Sequence, residues 1–260
     1  MSPPVGDNVI VFKSVCESDN LEEDAYYEAF RSVGYNVTLI PVLDFEFINL
    51  NQLLRMIKAS NKYSGIIFSS PRCVKGVKLC IQNEDGSILE KWKNSKNYVV
   101  GEKTGKLAED LGLVVLGKEA GNGDDLADII SKGTHTKPFL YPIGSLTQKK
   151  FQEKLKQNGI TVEEILIYNT KQHPLLEENI LKSNYFGKRV YIIYFSPSGV
   201  TFTLPLLRKM ELDFNNLKFV AIGPTTETAI KNNGLQVAAT SAVPNPENLL
   251  SAVQNIEREN

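Results

Sequence analysis

The stretch Gly65-Ile-Ile-Phe-Ser-Ser-Pro-Arg-Cys-Val74 decides the fold class. A short apolar run is typical of a buried parallel strand, and the Ser-Pro step after it is typical of a helix start, with Ser as the N-cap and Pro in the first helical position. The same order returns in Val190-Tyr-Ile-Ile-Tyr-Phe-Ser-Pro-Ser-Gly-Val200, where Phe195 stands 127 residues after Phe68. We therefore expect the same strand-to-helix unit twice.

Two further pairs of segments repeat in the same order. Val99-Val-Gly-Glu-Lys-Thr104 returns 122 residues later as Ala221-Ile-Gly-Pro-Thr-Thr226, and Gly121-Asn-Gly-Asp-Asp-Leu126 is matched by Pro244-Asn-Pro-Glu-Asn-Leu249. Repetition at a nearly constant spacing indicates a duplication. The length of 260 residues allows two equivalent domains of about 130 residues each.

Apolar runs alternate with helical patterns through most of the chain. The expected strands are 9–12, 65–68, 98–100, 114–116, 139–141, 190–195, 218–222 and 236–239. The expected helices are 26–33, 104–111, 148–157, 226–232 and 246–256. This alternation predicts an α/β fold with parallel sheets. The longer strands 37–47 and 161–170 are candidates for antiparallel linkers between the domains, with ordinary sheet strands as the alternative.

Composition excludes several classes of protein. With 29 basic and 30 acidic residues the net charge is −1, so the whole molecule does not attract nucleic acid or an anionic membrane. No apolar run approaches the about 20 residues that span a bilayer. Cys16, Cys73 and Cys80 lack metal-type spacing, and the first residues lack the pattern of a signal peptide, which favours a reduced, cytoplasmic location.

The common catalytic and cofactor motifs do not occur in the sequence. His135 and His173 are the only histidines, and neither has the spacing of a metal site or of a Ser-His-Asp triad. There is no Gly-x-Gly-x-x-Gly after the first strand and no phosphate-binding Gly-x-x-x-x-Gly-Lys-Ser/Thr loop. We therefore expect no metal and no cofactor.

Five strand-to-helix turns carry hydroxyls or glycines that suit an anion, and they begin at Ser69, Gly101, Ser145, Ser196 and Gly223. In open parallel sheets such turns lie at the carboxyl edge, where helix N-termini attract anions. The pattern predicts a receptor for several carboxylates, with plain helix capping as the alternative at each turn. The basic side chains that would add charge, or else lie on the surface, are Lys13, Arg72, Lys103, Lys149 and Lys150.

The order and spacing of these motifs resemble a known family. The segments that carry the resemblance are Leu39-Ile-Pro-Val-Leu-Asp-Phe-Glu-Phe47, Phe68-Ser-Ser-Pro-Arg72, Tyr168-Asn-Thr170 with His173-Pro174, Phe195-Ser-Pro-Ser-Gly199 and Ala221-Ile-Gly-Pro-Thr-Thr226. Together they are similar to the eukaryotic uroporphyrinogen-III synthases, from near residue 9 to near residue 250.

The resemblance implies a particular domain organisation. Two flavodoxin-like parallel-sheet domains are joined by a two-stranded antiparallel linker, with a cleft between them. Residues 1–41 and 171–260 form the first domain, residues 48–164 the second, and residues 42–47 and 165–170 the linker strands. The tandem repeat by itself would suggest a simple division into a front half and a back half.

The resemblance also implies a reaction, in which hydroxymethylbilane loses its hydroxyl and closes through a spiro intermediate to uroporphyrinogen III, with one ring inverted. Tyr168 matches the family tyrosine that assists departure of the hydroxyl. The carried-over contacts to the substrate's carboxylates are Ser70, Arg72, Gly101, Thr104, Ser196, Ser198, Gly223, Thr225 and Thr226. The expected partner is this polycarboxylate tetrapyrrole, bound by a monomer without nucleic acid or membrane.

Two alternatives come from other functional classes. A cleft between two α/β domains also suits a non-catalytic receptor for an anionic small molecule, because a fold does not determine a function. The lack of a signal-peptide pattern counts against a periplasmic receptor. A response regulator of flavodoxin-like fold would need clustered acidic residues after the first strand, where Phe12-Lys-Ser-Val15 stands instead.

Overall fold

A computed structural model describes residues 7–14, 24–147, 149–183, 185, 189–210 and 212–258 of the chain. Cys16 lies outside these ranges. The chain divides into two compact units, unit 1 from Met1–Asp44 and Lys171–Asn260, and unit 2 from Phe45–Thr170.

Strands and helices alternate as the sequence predicts. The described strands are β1 (Asn8–Lys13), β2 (Asn36–Pro41), β3 (Leu43–Phe47), β4 (Ile67–Phe68), β5 (Asn97–Val99), β6 (Val115–Leu116), β7 (Phe139–Gly144), β8 (Val162–Gln172), β9 (Val190–Tyr194), β10 (Leu217–Ala221) and β11 (Val237–Thr240). The described helices are α1 (Ala25–Arg31), α2 (Leu50–Lys58), α3 (Pro71–Ile81), α4 (Glu90–Lys93), α5 (Glu102–Glu109), α6 (Gly123–Ser131), α7 (Lys150–Gln157), α8 (Leu176–Lys182), α9 (Pro197–Lys209), α10 (Pro224–Asn232) and α11 (Pro246–Arg258). Short 3₁₀ turns cover Ser60–Lys62, Gly86–Leu89 and Phe214–Asn216.

Unit 1 is built on a five-stranded parallel sheet in the order β2-β1-β9-β10-β11. Every residue of the central strand β9 is buried, as the continuous apolar run predicts for a strand covered on both faces. On one face, Val9 and Ile193 of the sheet pack in one core with Phe30 of α1 and Val253 of α11.

Unit 2 has the same strand order. β4, β5 and β6 are parallel neighbours, β7 and β8 are parallel neighbours, and a parallel bridge from Ile66 to Leu140 joins the two groups into the order β8-β7-β4-β5-β6. β4 is shorter than the expected strand 65–68, although Ile66 before it bridges to Leu140 and donates its N–H to the Asn97 side chain at 3.1 Å.

The two sheets share the flavodoxin-like order 2-1-3-4-5, counted from β1 in unit 1 and from β7 in unit 2. The repeated sequences occupy equivalent positions, since β4 and β9 are both third and β5 and β10 are both fourth. The prediction of two flavodoxin-like parallel-sheet units is therefore confirmed.

The chain passes between the units within β3 and β8. The N–H of Ile48 donates to the carbonyl of Ile167, and the N–H of His173 donates to the carbonyl of Val42, both at 2.9 Å. Residue numbers rise on one strand as they fall on the other, so these strands are antiparallel. β8 also pairs with β7, so it is a linker and a sheet strand at once. The domain limits 41, 48, 164 and 171 stay predictions.

Candidate functional site

Unit 2 brings two of the predicted turns to the same edge of its sheet. The turn from β4 to α3 contains Ser70, and the turn from β5 to α5 contains Gly101. β4 and β5 are parallel neighbours, and the N–H of Val100 donates to the carbonyl of Phe68 at 3.0 Å beside both turns. The predicted residues of this unit, Ser70, Arg72, Gly101 and Thr104, therefore follow adjacent strand ends.

Unit 1 repeats this arrangement. β9 leads into α9 at Ser196 and β10 leads into α10 at Gly223, and the N–H of Ile222 donates to the carbonyl of Tyr194 at 3.0 Å. The predicted residues of this unit, Ser196, Ser198, Gly223, Thr225 and Thr226, follow adjacent strand ends in the same way.

The serine turns are true helix caps. The Ser70 hydroxyl accepts from the N–H of Cys73 at 3.4 Å, and the Ser196 hydroxyl accepts from the N–H of Gly199 at 3.1 Å. Both serines therefore cap their helices, and their contact with the substrate stays a prediction. A serine cap still has a hydroxyl proton to donate, and in α9 the oxygens of Ser196 and Ser198 lie 3.0 Å apart.

The glycine turns are different. Gly101 and Gly223 stand at the N-cap positions of α5 and α10, and no side-chain cap is found at either. The first N–H groups of a helix have no partner within the helix, and the helix dipole makes this end positive. The turn at Gly101 therefore offers backbone donors that no side chain caps. At Gly223 the first such donor is the N–H of Thr225, because Pro224 has no N–H and the N–H of Thr226 donates to the carbonyl of Gly223 at 3.1 Å.

The three threonines differ in exposure. Thr104 and Thr226 are 2% and 1% exposed, whereas Thr225 is exposed. Packing thus encloses Thr104 and Thr226 at the third position of their helices, and Thr225 is the most accessible of the three.

Tyr168 lies in β8, 8% exposed, between aromatic side chains. Its ring centre is 6.1 Å from those of Phe45 and Phe47. The guanidinium carbon of Arg72 lies 3.5 Å from the centre of the Phe45 ring, on the same side of unit 2. The alternation in Phe45-Glu-Phe47 places both rings on one face of β3, a sequence signal that could have identified them.

The phenol of Tyr168 is held in its protonated form. Burial raises its pKa above the ordinary 10.0, and the neighbouring Cys73 adds to this effect. The Ser70 hydroxyl and the Arg72 guanidinium act in the opposite direction and lower the pKa. Because the net shift is upward, the phenol carries its proton at neutral pH and can donate it.

Cys73 is a neighbour of the site that the sequence argument did not select. Its thiol donates to the carbonyl of Pro142 at 3.1 Å and lies 3.3 Å from the Ser70 oxygen. Burial raises the pKa of the Cys73 thiol, so it stays neutral. It links the end of β7 to the cap of α3.

The hydroxyls of the fifth predicted turn, after β7, accept from backbone N–H groups as the serine caps do. The Ser145 hydroxyl accepts from the N–H of Thr170 at 2.9 Å, and the Thr147 hydroxyl accepts from the N–H of Gly144 at 3.0 Å. Both hydroxyls therefore already accept hydrogen bonds within unit 2.

The candidate basic residues are mostly engaged. Lys13 pairs with Asp24, and Lys150 pairs with Asp124. Pairing with a carboxylate reduces the charge that a lysine presents to an anion.

Both histidines contact backbone groups. His135 lies 2.8 Å from the carbonyl of Ile130, and His173 accepts from the N–H of Leu175 at 3.2 Å. Within the described ranges, no group of three or more His, Cys, Asp or Glu side chains could hold a metal ion. Among the same residues, no helix is long and apolar enough to cross a membrane.

Comparison with known proteins decides the family. The family model described as uroporphyrinogen-III synthase HemD matches residues 24–251. The chain belongs to the uroporphyrinogen-III synthase family. The curated uroporphyrinogen-III synthase of Schizosaccharomyces pombe is 30% identical over 245 residues, which are 91% of this chain and 94% of that protein. The uroporphyrinogen-III synthase of Saccharomyces cerevisiae is 25% identical over 261 residues, with coverage of 90% and 92%.

Solved structures of this family have the same fold. The uroporphyrinogen-III synthetase of Helicobacter pylori aligns with a TM-score of 0.66 at 17% identity, over 96% of this chain and 99% of that one. A mutant uroporphyrinogen III synthase of Thermus thermophilus aligns with a TM-score of 0.60 at 14% identity, over 98% and 100%. The family resemblance expected from the motifs is thus confirmed, and every predicted site residue lies inside the matched range.

Proposed function

We infer that this protein catalyses the reaction for which its family is named, the closure of hydroxymethylbilane to uroporphyrinogen III with loss of water and inversion of the terminal pyrrole ring. The observation that carries the inference is the family match over residues 24–251. A relative that aligns over 94% of its own length supports it. The protein is therefore a hydro-lyase of haem biosynthesis, and the alternative of a non-catalytic receptor is not favoured.

The substrate's carboxylates are proposed to bind at the strand-to-helix turns of both units. Gly101 and Gly223 support this, because no side chain caps the positive ends of α5 and α10, where the first backbone donor of α10 is the N–H of Thr225. Hydrogen bonds to a carboxylate are about twice as strong as those to a neutral acceptor. The side chains proposed to add to these contacts are Ser70, Arg72, Thr104, Ser196, Ser198, Thr225 and Thr226.

Tyr168 is proposed to assist the departure of the hydroxyl. Its proton moves to the hydroxyl oxygen as the carbon–oxygen bond breaks, the bonding electrons leave with water, and the pyrrole nitrogen lone pair compensates to give a cationic azafulvenium beside the Tyr168 phenolate. The ring closure releases a proton, which returns the Tyr168 phenolate to the phenol. The raised pKa of Tyr168 supports a donor that is protonated before the step. The substrate provides most of the reactivity, so the assistance is worth about 10²-fold or less.

Three finer features are part of the same proposal. The reaction needs no metal or cofactor, because the leaving group and the nucleophile belong to one substrate. A monomer is sufficient, since one chain carries both sets of turns. A reduced, cytoplasmic compartment is supported by the free thiols of Cys73 and Cys80.

Turnover distinguishes the enzyme from the receptor. Enzymatically generated hydroxymethylbilane is supplied in large excess over the protein, with a chelator present, and the type III isomer is measured after oxidation. The proposal expects many molecules of type III product per protein molecule. At most one product per protein molecule would favour the receptor, and activity that returns only with added metal would contradict the cofactor-free reaction.

A further inference from the structure

Gly144, the last residue of β7, lies directly against the phenol of Tyr168. In the pairing of β7 with β8, Ile143 is opposite Leu166 but Gly144 is opposite Tyr168, so the register shifts at this point. Such a bulge re-aims the side chain that follows it, and bulges are common beside active sites. The bulge therefore brings the Tyr168 ring over the Cα of Gly144.

There is no room for a larger residue at this position. A Cβ on Gly144 would lie 2.2 Å from Cζ, 2.4 Å from Cε2 and 2.5 Å from Oη of Tyr168. These are the atoms at the phenol end of the ring. Gly144 is not among the described residues with positive φ, so its backbone is one that alanine can adopt. The contact with Tyr168 is thus the reason for glycine here.

The surrounding backbone holds this contact from both sides. The N–H of Gly144 donates to the Thr147 hydroxyl at 3.0 Å, and the N–H of Ser145 donates to the carbonyl of Tyr168 at 3.0 Å. On the far side, the N–H of Thr170 donates to the Ser145 hydroxyl at 2.9 Å. The ends of β7 and β8 cannot separate without losing the two hydrogen bonds that join Ser145 to Tyr168 and Thr170. An added methyl group must therefore displace the ring.

We propose that Gly144 is a positioning residue for the reaction: its bare Cα forms the surface against which the Tyr168 hydroxyl is held. This inference rests on the proposed role of Tyr168 as proton donor. A misplacement of about 1 Å at a reacting group can reduce a rate by about 10²-fold. The Gly144→Ala variant is therefore expected to lower kcat by more than about tenfold, up to the full loss caused by Tyr168→Phe, with little change in KM.

A double-mutant cycle tests the inference. The kcat for type III product is measured for wild type, Gly144→Ala, Tyr168→Phe and the double variant. If Gly144 acts through the phenol oxygen, Gly144→Ala lowers kcat in the wild-type background and has no further effect in Tyr168→Phe. Gly86→Ala is the matched control in the same unit, because a Cβ at Gly86 meets nothing within 4 Å. Thermal unfolding of each variant checks that it is folded.

The outcomes separate this inference from the proposed function. A Tyr168→Phe variant with wild-type kcat would overturn the donor role, and with it the positioning role of Gly144, while leaving the proposed overall reaction intact. Two outcomes would overturn the positioning role alone. In the first, Tyr168→Phe is slow but Gly144→Ala is fully active. In the second, Gly144→Ala lowers kcat by the same factor in the wild-type and the Tyr168→Phe backgrounds. If Gly144→Ala does not fold, Thr147→Val removes the hydrogen bond to the Gly144 N–H, and the same cycle must then show a loss only where the Tyr168 hydroxyl is present.

Discussion

Thr104 and Thr226 occupy the same position in two helices, the third residue after an uncapped glycine, and both are enclosed by protein with 2% and 1% of their surface exposed. The two threonines are equivalent because they belong to the repeated segment, in which Gly101 precedes Thr104 and Gly223 precedes Thr226. A buried threonine can shape the turn or offer its hydroxyl to a ligand, and the two roles separate when the hydroxyl is removed without changing the side-chain volume.

Thr226→Val makes this separation, because valine keeps the shape and removes the hydroxyl. If the hydroxyl contacts a substrate carboxylate, KM rises by about 12- to 160-fold, the equivalent of a lost hydrogen bond to a charged group of about 1.5–3 kcal/mol. Steady-state kinetics measures this. Thr228→Val is the control, since the Thr228 hydroxyl donates to Pro224 on the exposed side of the same helix. If the KM of Thr226→Val equals that of the wild type, Thr226 contributes packing and its hydroxyl does not contact the substrate.

Gly223→Ala probes the uncapped turn of α10. The Gly223 backbone is extended, with φ 179°, and a Cβ there meets nothing within 4 Å, so alanine should fold as well as glycine. A methyl group would nevertheless crowd a carboxylate that approaches the N–H of Thr225, the first backbone donor of α10. We expect an unchanged unfolding temperature and a raised KM. An unchanged KM would show that no substrate group approaches this glycine.

Gly101→Ala is expected to behave differently. Gly101 has φ 80° and ψ 157°, a backbone region that is essentially restricted to glycine and costs another residue about 1–3 kcal/mol. The variant should therefore lose stability by that amount as well as substrate affinity. Urea unfolding of Gly101→Ala and Gly223→Ala side by side measures the contrast, and equal stability of the two variants would contradict it.

The pH dependence of Tyr168 follows from its raised pKa. The donor is the protonated phenol, and the folded-state pKa lies above 10.0, so the donor form persists through neutral and mildly alkaline pH. The ratio of kcat between wild type and Tyr168→Phe should stay constant from about pH 7 to about pH 9. A ratio that falls towards one within this range would mean that the phenol has a lowered pKa and a different role.

The buried thiol of Cys73 is expected to lower the free energy of unfolding at alkaline pH. Burial raises the pKa of its thiol above the ordinary 9.0, so the folded state keeps a proton that the unfolded state releases. The free energy of unfolding is therefore unaffected below pH 9 and falls as pH rises above it, by at most about 1.4 kcal/mol per pH unit for one group. Cys73→Ala should show a shallower decline above pH 9 in urea unfolding. Identical declines would show that the thiol does not contribute.

The sequence predicted the parts of the fold that depend on apolar periodicity. The run Val190–Tyr194 is buried as expected, and the repeated Ser-Pro and Gly turns follow equivalent strands in both sheets. The repeat did not show that β7 in unit 2 corresponds to β1 in unit 1. Moving the first strands of a domain to the end of its sequence leaves each local strand-to-helix pattern unchanged. That organisation came from the family resemblance.

The surroundings of Tyr168 were less accessible to sequence reasoning. The bulge that sets Tyr168 against Gly144 shifts the register by one residue, and a period-two pattern does not reveal such a shift. Cys73 reads as an ordinary apolar helix residue until the structure places its thiol beside Ser70 and Pro142. The sequence also does not show that the Ser145 hydroxyl accepts from the N–H of Thr170 in the neighbouring strand β8, whereas Ser70 and Ser196 accept within their own helices.

The isomer composition of the product shows whether this protein inverts the terminal pyrrole ring. Hydroxymethylbilane that closes without an enzyme gives uroporphyrinogen I, whereas inversion of the terminal ring gives uroporphyrinogen III. The two oxidised products are separated after incubation with the protein, with heat-inactivated protein as the control. The family assignment and the proposed site predict that type III predominates with the active protein and type I with the control. Type I alone in both samples would contradict the account.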